Sequence, residues 1–113
     1  MIVRNLNDRE VLETTYIAHG GAIAQMILDR RTLKEIGFFA IASLEAGKIL
    51  EAHTDPMEEI YFLVKGEGEM EVDGESRKVV SGDAIWIPAG ASHGLVNTGK
   101  EDIVILVVAS PHW

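Results

Sequence analysis

The chain has 113 residues, material for one domain and too little for a second core. Hydrophobic residues make up 47% and charged residues 25%, more apolar material than a disordered chain carries. Eighteen acidic against ten basic residues leave a net charge of -8, and the nearest thing to a basic cluster is Arg30, Arg31 and Lys34, so nucleic acid and anionic membranes are not expected as partners. The chain has no cysteine, which removes disulfides, thiolate nucleophiles and zinc-thiolate sites together and fits a reducing cytoplasm. The start, Met1-Ile2-Val3-Arg4, carries no apolar run behind a basic stretch, and no segment nears membrane-spanning length. A soluble cytoplasmic protein is expected, with residues 1–113 forming one domain.

In chain order, residues 8–13 suit a short helix, and residues 22–28 fit an edge strand or a helical turn, with the strand preferred. Short runs rich in β-branched and aromatic residues follow at 38–44, 60–64, 84–87 and 103–108. Asp73-Gly74 separates residues 69–72 from 75–80, the pattern of a tight hairpin with positive φ angles at its turn. Gly66-Glu67-Gly68, Ser81-Gly82-Asp83, Pro88-Ala89-Gly90 and Asn97-Thr98-Gly99 mark further turns. Many short strands at close spacing, with no internal repeat, predict an all-β sandwich or barrel. The run 103–108 is apolar at both parities, which signals a strand covered on both faces. A small barrel covers only its inner face, so a homodimer is expected, and strand 22–28 is a candidate for adding to a neighbouring sheet edge.

Four side chains able to bind a metal fall near predicted turns and strand ends: His53, Asp55, Glu59 and His93. Residues two apart on a strand share a face, which pairs His53 with Asp55 and Glu59 with Tyr61. Glu58 would then point away from Glu59, toward solvent.

At these residues the sequence resembles the cupin superfamily. Its first motif is a Gly, five residues, His-x-His, three or four residues, Glu, six residues and Gly. Gly47, His53-Thr54-Asp55, Glu59 and Gly66 keep every spacing over residues 47–66, with Asp55 where the second His would stand. The second motif is matched throughout by Gly82, Pro88, Gly90, His93 and Asn97 over residues 82–97. The resemblance implies an all-β double-stranded β-helix, a jelly-roll barrel of six to eight antiparallel strands, often dimeric, with a divalent transition metal (Mn, Fe, Ni or Zn) in its wider mouth. It carries His53, Glu59 and His93 over as ligands.

Asp55 has three readings: a fourth ligand suiting harder ions such as Mn²⁺ and Fe²⁺, a group that reaches the ion through water, or part of a His-x-Asp…His triad of the 2-oxoglutarate oxygenase kind. No Arg follows His93 to hold a keto acid, leaving Lys100. Against all three stands a metal-free barrel in which Asp55 caps the turn before Pro56. Tyr61 is a candidate substrate-binding residue, and Trp86, on a barrel strand, either lines the pocket or packs. His19, in His19-Gly20-Gly21, either lies over the pocket to bind substrate or sits in a surface turn. The implied function is a metal-binding cupin enzyme acting on a small oxygen-chelating organic molecule, by isomerase, lyase or dioxygenase chemistry. The alternative is a non-catalytic small-ligand binding or sensing cupin, metal-free or not.

Overall fold

The computed structural model describes residues 1–112. Helix α1 (Arg9–Leu12) leads into β1 (Tyr16–Ala18), β2 (Ala22–Leu28), β3 (Phe38–Leu44) and β4 (Ile49–His53). After these come β5 (Glu59–Lys65), β6 (Glu67–Val72), β7 (Glu75–Val80), β8 (Ala84–Ile87), β9 (His93–Asn97) and β10 (Ile103–Ala109). They form a six-stranded sheet, β1-β2-β3-β10-β5-β8, and a four-stranded sheet, β4-β9-β6-β7, with every pairing antiparallel. This is the jelly-roll barrel that the resemblance implies.

Alternation along each strand decides what faces inward. On β10, Ile103, Ile105, Val107 and Ala109 are buried, while Val104, Leu106 and Val108 are half-buried on the outer side. Leu63, Ile87, Leu95 and Ile103 are fully buried between the sheets, each contributing roughly 1.5–3 kcal/mol relative to an exposed position. The hairpin is formed as its turn chemistry requires: Asp73 and Gly74 have φ of 46° and 82°, and Val72 pairs with Glu75 across the turn.

Three expectations change. There are ten strands among the described residues, against six to eight, partly because one stretch of chain passes from the six-stranded to the four-stranded sheet at Gly66 and so counts as both β5 and β6. β2 is not an edge: the three-residue β1 pairs outside it, Ile17 opposite Ile23, and takes the edge position. Trp86 is not packed in the core, being 63% exposed on the outer face with its indole N–H donating to Glu58 at 2.7 Å. Trp113 lies outside the described residues.

Candidate metal centre

The site is built by strand ends from both sheets. β4 ends at His53 and β9 begins at His93, and the two are cross-strand partners. Glu59 opens β5 in the facing sheet, with Tyr61 two residues on and buried on the same side. Asp55 does not share a strand with His53, because β4 stops there and Pro56 cannot donate to a ladder. It sits instead in the β4–β5 loop, whose Asp55 carbonyl accepts from Gly90 N–H at 2.8 Å. That bond ties the loop of the first motif to the Pro88–Gly90 turn of the second. Asn97, the last residue of the second motif, is structural: its amide donates to the Leu44 and Glu101 carbonyls at 2.8 and 2.9 Å.

Both histidines are oriented by backbone. Nδ1 of His53 lies 2.7 Å from the Glu51 carbonyl and Nδ1 of His93 lies 2.9 Å from the Ala91 carbonyl. A carbonyl only accepts, so each Nδ1 carries the proton and each Nε2 is left with a lone pair. Asp55 Oδ2 stands 3.2 Å from Nε2 of His53 and 3.7 Å from Nε2 of His93. The carboxylate therefore turns toward the imidazoles, which is not how a cap for the Pro56 turn would be aimed.

Glu59 and His93 are 3% and 1% exposed, yet Glu59 Oε1 and His93 Nε2 have no hydrogen-bond partner. An unsatisfied buried polar atom costs about 1–3 kcal/mol, so two in one place call for a physical reason. Burial pushes the Glu59 carboxyl up to about 8, helped by its hydrogen bond and charge contact with Asp55. Burial also works to raise Asp55, but the Glu59 hydrogen bond and the nearby imidazoles hold it below the usual carboxylate range. The pair thus holds one proton, on Glu59, where a cation would otherwise balance two carboxylates. Burial lowers His93 and His19, favouring their neutral, ligating forms.

Two overlapping groups bring possible ligand atoms within 4.8 Å of one another: Asp55, Glu59 and His93, and His19, His53 and Asp55. The nitrogen and oxygen donors, the fixed tautomers and the two orphaned atoms all fit a divalent transition metal.

Tyr61 meets His93 edge-on, with ring centroids 5.7 Å apart, and burial pushes its phenol well above the ordinary value. With Asp55, Glu59 and His19 it lines a cavity of about 160 Å³. His19 is brought over the pocket by a turn pinned to β4, where its carbonyl accepts from Glu51 N–H at 2.9 Å. The approach is close enough that a Cβ on Gly21 would collide with the Ile49 carbonyl. All six candidate residues therefore come together. What sequence reasoning missed is that His19 stacks on His53, with ring centroids 3.3 Å apart, and that Tyr16 also lines the cavity. The His-Gly-Gly turn was the available signal for the first. A larger groove of about 630 Å³, over Met70, Val79 and Trp86, includes none of these six residues.

The profile of the cupin domain family matches residues 40–109. An uncharacterized protein of Streptomyces coelicolor is 32% identical over 100 residues, spanning 88% of this chain and 90% of that protein. A crystal structure described as a predicted oxalate decarboxylase of Thermotoga maritima superposes with a TM-score of 0.83 at 26% identity, covering 99% of this chain and all of the other. The polyketide cyclase RemF of Streptomyces resistomycificus shares the fold, with a TM-score of 0.79 at 18% identity over 98% of this chain and 81% of its own. Both motifs and nearly the whole span from β3 to β10 fall within the family match, and the chain belongs to the cupin domain family.

Proposed function

We propose that His53, Asp55, Glu59 and His93 hold one divalent transition metal, and that the protein is a metal-dependent enzyme acting on a small organic molecule that chelates the ion through oxygen. The observation that carries this reading is the pair of buried, unpartnered atoms, Glu59 Oε1 and His93 Nε2, within reach of the Asp55 carboxylate. Two imidazole nitrogens and two carboxylate oxygens suit Mn²⁺ or Fe²⁺ over the softer choices, with Ni²⁺ and Zn²⁺ as competitors. Such an ion supplies Lewis acidity to a chelated oxygen. The protein's own part is to orient each imidazole through Glu51 and Ala91, and to give the bound molecule polar contacts from Tyr61 and His19. A cavity lined by a phenol and an imidazole supports catalysis over plain ligand holding. Isomerase, lyase and dioxygenase chemistry are all compatible with such a centre.

We also propose a homodimer formed through the outer face of the six-stranded sheet. Ile60, Phe62 and Trp86 are 45%, 40% and 63% exposed there, and Leu106 lies beside Phe62 as its cross-strand partner. An apolar outer face of that breadth supports an interface.

Elemental analysis of protein purified without chelator tests the metal reading. A stoichiometric transition metal is expected, lost in His93→Ala. Less than about a tenth of an equivalent, persisting after incubation with Mn²⁺, Fe²⁺, Ni²⁺ and Zn²⁺, overturns it.

A further inference from the structure

Beyond its metal ligands, the cavity has a second half, and that half differs in kind. Its floor is laid by alanines on β2 and β3: Ala24 opposite Ala42, with Ile105 beyond it, and Ala40 opposite Val107. Ala24, Ala40 and Ala42 are 4%, 3% and 6% exposed and all face the cavity, where larger aliphatic side chains would fill it. The space is not a purely apolar void, since Glu59 also lines it with its buried Oε1 unpartnered. At about 160 Å³ it is smaller than the roughly 300–1,000 Å³ of drug-sized sites, and holds about five waters' worth of volume at about 30 Å³ each.

Charge narrows the occupant further. No Lys or Arg among the described residues lines this cavity. Arg30 lies in a separate groove that shares only the wall of Met26, Phe38 and Met57 with it. Asp55 and Glu59, both ionised around a divalent ion, already balance its two charges. A dianion bound there would leave two uncompensated negative charges beside the Asp55 and Glu59 carboxylates, in a pocket open at its mouth where solvent screens the repulsion only in part.

Resting on the metal reading above, we infer that the ligand is a small neutral or singly charged hydroxyketone or enolisable dicarbonyl: two oxygens chelate the ion, and an uncharged apolar body lies on the Ala24–Ala40–Ala42 floor. Dicarboxylates and phosphate esters are disfavoured by the same charge balance.

Titration calorimetry of the Mn²⁺-loaded full chain, with metal content checked afterwards, compares maltol, a neutral hydroxyketone chelator, with oxalate, a dianion of similar bite and no apolar body. Maltol is expected to bind at least tenfold more tightly. Ala42→Leu should weaken maltol at least tenfold while leaving Mn²⁺ content and oxalate affinity unchanged. Ala42→Val provides the smaller step should the leucine variant not fold. Asp55→His, which adds one positive unit to the site, should shift preference toward oxalate. Oxalate binding as tightly as maltol, or maltol indifferent to filling at position 42, overturns the inference with the metal centre intact. A wild-type chain that retains no Mn²⁺ overturns the metal centre itself, and this inference with it.

Discussion

The imidazole of His19 lies parallel to that of His53, with ring centroids 3.3 Å apart and planes within 8°. Imidazole lone pairs lie in the ring plane, so two parallel stacked rings do not converge on one ion. His19 in this arrangement is a neighbour of the ligand His53 and a contact for whatever binds above it. His19→Ala is therefore expected to leave the barrel folded and to weaken metal retention about tenfold, the low end for a residue that supports a ligand. Competition with a chromogenic chelator measures this. A loss as complete as that of His93→Ala would make His19 a ligand in its own right.

Asp55 tests the identity of the ligand set. Asp55→Ala removes a negative donor from a loop at the barrel mouth, where the side chain is 23% exposed, so metal loss should far exceed any loss of stability. Asp55→His should keep metal but move preference toward Ni²⁺ and Zn²⁺, which favour imidazole nitrogen. If Asp55→Ala keeps its metal and loses only about 1 kcal/mol, the scale of a missing side-chain cap, then His53, Glu59 and His93 alone form the site.

The metal-free protein should lose stability between pH 7 and 8. Glu59, raised to about 8, keeps a proton that the unfolded chain releases near 4.5, so its contribution is full below that value and is lost as pH rises through about 8. The lowered histidines His19 and His93 slope the opposite way, gaining stability as pH rises, but only up to their unfolded value of 6.5. Asp55, lowered, acts only in the acid range, and the raised phenols of Tyr16 and Tyr61 act above 10. Above pH 7 Glu59 is left to act, with a slope of at most about 1.4 kcal/mol per pH unit for one proton. Urea melts at pH 7 and 8 should show the fall in the metal-free chain and its absence in Glu59→Gln. A rise in stability over that range would contradict the assignment of the proton to Glu59.

Much of this site was legible because its signals are local. The spacing from His53 to Glu59 and from Pro88 to His93 fixes which residues reach the mouth once strands form on either side, and Asp73-Gly74 specifies its own turn. The strand at 22–28 was read with its observed bounds. The position of His19 was less legible because it depends on a non-local bond, Glu51 N–H to the His19 carbonyl, and on the close packing of Gly21 against Ile49. The exposure of Trp86 depends on which face of β8 looks outward, and a four-residue strand carries too little alternation to tell. The alanine floor reads in sequence as ordinary small core residues. Only the register of β2, β3 and β10 reveals that the small residues lie together.

The outer-face dimer predicts a mass near twice that of the 12.4 kDa chain by light scattering at micromolar concentration. Phe62→Glu, which sets a charge in the middle of the exposed apolar row beside Leu106, should give the monomer without unfolding it. A monomeric wild type would end the proposal.

Anomalous diffraction from crystals grown with Mn²⁺ tests the metal centre most directly. The expected result is a single peak bonded at about 2.0–2.3 Å to Nε2 of His53 and His93 and to carboxylate oxygens of Asp55 and Glu59. The Glu59 proton should be displaced and both orphaned atoms satisfied. A mouth without a peak at full Mn²⁺ saturation would contradict it.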